Sequence, residues 1–248
     1  METPPFFIMV IVSSSYNYTK TDLYTFVTSL NESGFIGEKI MIVYECDSLT
    51  IKFLKENGWK IYQKDLNNIQ VVTKRFEDIS NILENYGEYE QILVTDSRDV
   101  YFHKNPRLLS PHDLFIGIDG DYSLKNNEWA TKEMMKMYPN EYDSIKDKHH
   151  LCAGVILGKN KILKKLFKDV FDYTFKSEFK EKKSTVDQIA LNILIYKKYN
   201  YHLIKDDSVI NLSCTDWDLN KEYFIYHQYD RVDDFWSKIK SNIKKTVL

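Results

Sequence analysis

Residues 91 to 106 read Gln-Ile-Leu-Val-Thr-Asp-Ser-Arg-Asp-Val-Tyr-Phe-His-Lys-Asn-Pro. A short apolar run, Ile92 to Val94, stops at two carboxylates, Asp96 and Asp99. Asp is depleted within strands and is almost never fully buried without a partner. Two of them where a strand leaves the core call for a partner, and a divalent cation is an economical one. Hard cations such as Mg²⁺ or Mn²⁺ take one or two carboxylates and complete their shell with water and substrate phosphates. The stretch therefore favours a diphosphate-using enzyme. An Asx-turn or a helix cap explains the same residues without a metal, with Arg98 neutralising one acid in a surface ion pair.

The elements that must carry these acids follow from the hydrophobic pattern. Phe6 to Val12 is a continuous apolar run, as expected for a strand buried on both faces, and Ser13 to Ser15 read as the polar loop after it. Thr21 to Leu30 has helical spacing. Lys39 to Tyr44 reads as a second strand, and Ser48 as the cap of a helix through Asn57 that Gly58 closes. Trp59 to Tyr62 and Ile69 to Val72 read as short strands. A helix over Phe76 to Tyr86, ended by Gly87, leads into the strand before Asp96. This alternation predicts an α/β fold with parallel βαβ units and helices on both faces of the sheet. Ligands in such sheets bind beyond the carboxyl ends of the strands. Ser13 to Ser15, Glu45 to Asp47 and Asp96 to Asp99 all lie at such ends.

The second half is less regular. His112 to Ile118 and Leu151 to Gly158 read as strands, and Asn160 to Lys176 and Thr185 to Lys197 as helices. Tyr201 to Ile204 and Tyr223 to His227 read as short strands, and Asp233 to Lys245 as an amphipathic helix. Asp119 to His149 is polar and aromatic, and a stretch of that length is functional or partly helical rather than bare loop.

Composition narrows the class. The 248 residues suit one domain able to bury a core without staples. A net charge of -2 gives no field that would favour nucleic acid or an anionic membrane. The Lys-rich stretches 159–168 and 176–183 read as solvated helix faces. Cys46, Cys152 and Cys214 form no CxxC pair, which points to a reducing compartment. The N-terminus lacks the basic region of a signal peptide, and no apolar run is long enough to span a membrane. A cytoplasmic location without membrane insertion is the expectation.

Thr95-Asp96-Ser97-Arg98-Asp99-Val100, after an apolar strand and before Phe-x-x-x-Pro, resembles the modified DxD motif of GT-A glycosyltransferases, in the branch that reads Asp-x-Arg-Asp-Val. Three further segments resemble that branch in consistent order. They are Ala153-Gly154-Val155-Ile156-Leu157-Gly158, Asp187-Gln188 with Leu191-Asn192, and His227-Gln228-Tyr229-Asp230-Arg231. The resemblance spans residues 6 to 231. It implies a single GT-A (Rossmann-like) domain over residues 1–248, a mostly parallel sheet flanked by helices with a less regular acceptor-side second half. Residues 1–100 would form the nucleotide-binding half and 101–248 the acceptor and donor-sugar half.

The resemblance also implies roles. Asp99 would hold a cation on the nucleotide diphosphate, with Asp96 near the ribose or on the same cation. An extra residue separates the acids relative to DxD, which leaves their division of labour open. His227 would be a third metal ligand, and imidazole in an oxygen-rich site favours Mn²⁺ over Mg²⁺. Asp187 and Gln188 would face the donor sugar, although Thr185-x-x-Gln188 is also a capping box and Asp187 complements a helix dipole. Gly154, inside a strand, marks either close approach of a ligand or tight packing. Val12, Ser13, Ser14 and Tyr44 would lie near the nucleotide base, Arg75 near the diphosphate, and Ser97 with Asp96 against the donor.

The expected partners are a nucleotide sugar, by resemblance a uridine diphosphate sugar, and a glycan or other hydroxyl acceptor drawn to residues 119–149. The resemblance favours retention at the transferred carbon. A nucleotidyltransferase is the alternative enzyme. It would usually carry a Gly-rich loop after the first strand, where this chain has Ser13-Ser14-Ser15-Tyr16. A non-catalytic nucleotide- or sugar-binding module is the other alternative.

Overall fold

Alternating burial on two faces organises the N-terminal half. In β1 (Met9–Tyr16), Val10 and Val12 face one apolar cluster while Met9 and Ile11 face another, the period of two that a pleated strand imposes. The structure is a computed structural model and describes residues 9–88, 90–109, 113–176, 186–199, 201–204, 209–212, 222–233 and 235. β1 pairs in parallel with β2 (Glu38–Tyr44) and with β4 (Gln91–Thr95), and β2 pairs in parallel with β3 (Trp59–Gln63). Beyond β4 the direction reverses. β7 (His149–Lys159) runs antiparallel to β4, β6 (Leu114–Ser123) runs antiparallel to β7, and β8 (His202–Ile204) runs parallel to β6. The sheet order is β3-β2-β1-β4-β7-β6-β8.

Helices cover both faces. α1 (Lys20–Glu32) and α2 (Ser48–Glu56) bury Leu23, Phe26, Phe53 and Leu54 against one face. α3 (Val71–Leu83), α6 (Asn160–Phe175) and α7 (Val186–Lys198) bury Phe76, Ile79, Leu163, Phe167, Ala190 and Leu191 against the other. The expected α/β architecture is therefore present, a mostly parallel sheet flanked by helices. Between β6 and β7 the chain forms α4 (Glu128–Met137) and α5 (Pro139–Ile145), so the stretch 119–149 is partly helical. A second, smaller sheet has the order β5 (Val100–Phe102), β10 (Ile225–His227), β9 (Val209–Asn211). It sits on α1, where the Phe102 and Phe26 rings are 5.5 Å apart and the Phe102 N–H donates to Ser29 Oγ at 3.1 Å.

Several local readings are corrected. Ile69 to Val72 is not a strand. Asn67 and Asn68 adopt left-handed conformations that end the preceding segment, and Val71 begins α3. β-branched residues lose little in a first helical turn, so the run Val71-Val72-Thr73 misleads a propensity argument. α3 ends at Leu83, short of Gly87. Asp47 rather than Ser48 caps α2, accepting from Thr50 N–H at 2.6 Å. Gly58, at φ +77°, does close that helix. Ser13 to Ser15 belong to β1. Phe6, Cys214, Thr185 with its capping box, and the expected helix over Asp233 to Lys245 fall wholly or mostly outside the described residues.

Phe26 joins the two sheets, with Trp59 at 5.4 Å on one side and Phe102 on the other. We expect Phe26→Ala to cost about 3–5 kcal/mol, read as a lowered urea midpoint with unchanged slope.

Candidate active site

The carboxyl end of β4 opens onto a cavity of about 690 Å³, a volume typical of small-molecule sites. Asp96 N–H still donates to Gly154 O at 2.8 Å, extending the β4–β7 ladder by one residue. The chain then turns through Ser97, whose Oγ donates to Ser14 O at 2.7 Å, and passes Asp99 into β5. Antiparallel pairing sets His227 of β10 opposite Val100, so the imidazole arrives beside Asp99. Gln228, at φ +61°, turns the chain away, and its N–H donates to Asp99 O at 2.7 Å.

Gly154 makes room for that imidazole. A Cβ at Gly154 would lie 2.1 Å from Cε1 and 2.4 Å from Nε2 of His227. The close approach is thus by a side chain, neither by a packed helix nor by a ligand alone.

One ligand atom from each of Asp96, Asp99 and His227 falls within 4.8 Å of the other two. His227 Nε2 is 3.5 Å from Asp96 Oδ2 and 3.6 Å from Asp99 Oδ1, long for hydrogen bonds, and it has no hydrogen-bond partner. On the other side of the ring, Nδ1 lies 2.5 Å from Asn211 Oδ1. An amide oxygen only accepts, so Nδ1 carries a proton, and Nε2 faces the acids with either a proton or a cation. Burial opposes charge on this imidazole, but Cys152, Asp96 and Asp99 around it push its pKa well above the ordinary value. Two carboxylates thus demand positive charge at one point, and the residues there fit a divalent cation that would displace the proton.

Arg75 is the second organiser. It projects from the second turn of α3, where its Nη1 donates to Asp96 Oδ1 at 2.6 Å and its Nη2 to Asp187 Oδ2 at 2.7 Å. Burial works against ionisation of Asp96, yet Arg75 and His227 outweigh it and hold that carboxyl well below the usual range. At Asp187 burial wins over Arg75, and the carboxyl is raised. Arg75 therefore reaches Asp96 and Asp187 at the cavity wall.

Asp96, Ser97, Asp99, Gly154, Asp187, Gln188, His227, Ser14 and Arg75 all line the cavity. Val12, Ser13 and Tyr44 do not. β1 runs on to Tyr16, so the residues at its open end are Ser14 and Tyr16, while Val12 is in the core and Ser13 Oγ donates to Thr95 O at 2.7 Å. Tyr44 is fully buried beneath α3, and its phenol donates to Asp78 Oδ2 at 2.8 Å. The Glu45–Asp47 loop is also absent from the lining. Cys152 is buried in the cavity wall with Sγ 3.4 Å from His227 Nδ1. His149 and His103 lie off the cavity, but His150 pairs with a residue the sequence reading passed over. Its Nδ1 is 3.0 Å from Asp119 Oδ2. Asp119 follows the apolar run Leu114–Ile118, the same signal that exposed Asp96. Asn127, Trp129, Tyr16 and Tyr18 complete much of the rim and carry no comparable sequence signal.

No protein-family model and no curated protein sequence matches the chain at a significant level. Solved structures do match. A galactosyltransferase, LgtC, crystallised in complex with donor and acceptor sugar analogs, superposes with a TM-score of 0.62 over 94% of this chain and 96% of its own, at 12% identity. The fold is thus the GT-A glycosyltransferase fold.

Removing the bridging cation leaves two acids facing one another. We expect Arg75→Met to lose about 3 kcal/mol or more at neutral pH. A carboxylate with a depressed folded pKa contributes stability above its unfolded pKa and loses it as pH falls through the folded value. For Asp96 that loss is confined to strongly acid pH in the parent chain. In the variant the two acids lose the guanidinium that lowers their pKa and take up a proton at higher pH, which relieves their repulsion. The gap between parent and variant should therefore narrow on acidification, as followed by denaturant unfolding from pH 7 to pH 3.

Proposed function

We propose that this protein is a divalent-metal-dependent glycosyltransferase that moves a sugar from a nucleotide diphosphate sugar to a hydroxyl of a glycan or other acceptor. The observation that carries the reading is the meeting of Asp96, Asp99 and His227 at the carboxyl end of the parallel strands. A non-catalytic module would not need an imidazole nitrogen held unpartnered against two acids. A nucleotidyltransferase is disfavoured because Ser13 to Tyr16 is strand and offers no Gly-rich phosphate loop.

Asp96, Asp99 and His227 would hold the cation, and the mixed nitrogen and oxygen donors suit Mn²⁺. When bound, it supplies positive charge for the departing diphosphate. The nucleoside, uridine by preference, would enter along Ser14, Tyr16 and Tyr18. Arg75 fixes Asp96 and Asp187 in one geometry, and Asp187 and Gln188 would receive the sugar hydroxyls. Positioning of this kind converts a bimolecular encounter into an oriented one. Transfer with retention is the stereochemistry we favour. Trp129 and Asn127, from the otherwise irregular stretch, would meet the acceptor. The two halves, 1–100 and 101–248, would act as one domain. No helix among the described residues is long and apolar enough to cross a membrane, and Cys46 and Cys152 are free thiols, in keeping with a reducing cytoplasm.

The test is a panel of nucleotide sugars with Mn²⁺ or Mg²⁺, scored for nucleoside diphosphate release and for thermal stabilisation. Mn²⁺-dependent release from at least one donor is expected, and absence of both signals across the panel would overturn the reading. In the same assay Asp99→Asn should lower turnover by at least about 100-fold while the fold survives. His227→Ala should shift the Mn²⁺ titration to higher concentration, and an unchanged titration would remove His227 from the metal set.

A further inference from the structure

The Asp119–His150 pair has no part in the reading above, yet both residues converge on Gln188. Asp119 comes from β6, His150 from the neighbouring β7, and Gln188 from the first turn of α7. His150 is fully buried and Asp119 nearly so. The Gln188 side-chain Nε2 donates to Asp119 Oδ2 at 3.3 Å and lies 3.1 Å from His150 Nε2. His150 Nδ1 is 3.0 Å from the same Asp119 Oδ2, a close approach without the alignment of a hydrogen bond.

These contacts fix which way the amide points. A carboxylate only accepts and an amide NH₂ only donates. Turned over, the amide would set its oxygen against Asp119 Oδ2, acceptor on acceptor, so the network selects the orientation with Nε2 inward. The imidazole is selected with it. Because the amide NH₂ only donates, the imidazole Nε2 3.1 Å away is the acceptor. In that tautomer the ring proton sits on Nδ1, on the side of the Asp119 carboxylate. Both hydrogens of the Gln188 amide are then committed to the protein. The carbonyl oxygen is the part left for the cavity, which Gln188 lines.

We propose that Asp119 and His150 are positioning residues that lock the Gln188 amide, so that it presents only a hydrogen-bond acceptor to the bound sugar. The site then selects a sugar carrying a hydroxyl at that point and rejects one whose hydroxyl is replaced by hydrogen or fluorine. Trp129 lies against His150, the two rings 5.8 Å apart. This inference rests on the glycosyltransferase reading for its substrate, but the lock itself does not.

Two measurements on the full chain separate the lock from the reading. The first uses the Gln188 side-chain NH₂ signal in ¹⁵N NMR, assigned by its loss in Gln188→Ala. We expect slow hydrogen exchange in the parent chain and exchange at least about tenfold faster in Asp119→Asn and His150→Ala. The second measures turnover of whichever nucleotide sugar is active with Mn²⁺. Each variant should lose about 100-fold in kcat/KM, with affinity for the nucleoside diphosphate unchanged. His150→Gln, which keeps an acceptor near the Nε2 position, should recover part of the loss. Adding Gln188→Ala to either variant should cost nothing more, because residues acting as one unit are not additive. Unchanged NH₂ exchange, or losses that multiply in the double variants, would overturn the lock. If no nucleotide sugar is turned over, the functional reading fails while the exchange measurement still decides the lock. Asp119→Asn is nearly isosteric, so it remains informative should His150→Ala fail to fold.

Discussion

Four carboxylates crowd one cavity, those of Asp96, Asp99, Asp119 and Asp187, and the half-buried guanidinium between Asp96 and Asp187 belongs to Arg75. Burying charge without a partner costs several kcal/mol per ion, so this arrangement constrains everything around it. Arg75 satisfies two acids at once because its planar fork presents Nη1 and Nη2 in fixed directions, one to each carboxylate. In doing so it ties α3, the end of β4 and the start of α7 to a common point. Asp119 is met by His150 and Gln188. What remains is one oxygen each of Asp96 and Asp99, Oδ2 and Oδ1, facing the His227 imidazole nitrogen. Asp99 Oδ2 also lies 3.5 Å from Arg231 Nη2, and a proton on His227 or a cation would supply the positive charge between Asp99 Oδ1 and Asp96 Oδ2.

The reversal of strand direction after β4 is what makes that meeting possible. A parallel neighbour would bring a strand's carboxyl end to the cavity, as β1 does with Ser14. Antiparallel β7 instead brings its amino-terminal half, His150 to Gly154, alongside Asp96. The absence of a side chain at Gly154 leaves a recess at that level, and β10 of the small sheet fills it with His227. Long-range pairing thus assembles the site from residues 96, 154 and 227, with β5 acting as the hinge between the two sheets. The aromatic contact of Phe102 with Phe26 anchors this second sheet to the first.

Much of this was legible from pattern. Apolar runs of the length of β1, β2 and β4, separated by amphipathic helices, specify parallel units, and acids at the end of such a run point into the crevice. His227 and Gly154 were legible as residues of interest, but their direct contact was not, because nothing local in either segment reports on the other. The errors have distinct causes. Val71-Val72-Thr73 carries strand propensity, yet α3 wins through the buried face of Phe76, Ile79 and Ile82. Val12, Ser13 and Tyr44 lie off the cavity because β1 continues through Ser14 and Ser15 to Tyr16, and the Ser13 hydroxyl bonds the Thr95 carbonyl. His150 has no carboxylate at ligand spacing in sequence. Its partner Asp119 lies across a strand pair whose register is broken by irregularities after Ile116, which no periodicity argument would recover.

Precision at the sugar-facing wall depends finally on α7. A helix that is apolar all round is a buried helix, and this one buries Val186, Ile189 and Ile193 against α4 and α5 while Ala190, Leu191 and Leu194 pack on the sheet side. Asn192 then fastens it to β7, accepting from Leu151 N–H and donating to Leu151 O, each at 2.9 Å. With the axis, rotation and height of the helix all set by these contacts, the first turn has little freedom. Asp187 meets Arg75, and Gln188 meets Asp119 and His150, because the helix that carries them cannot turn them elsewhere. A capping role for these residues and a ligand-facing role are therefore compatible, since the same first turn ends a buried helix and forms the wall of the cavity.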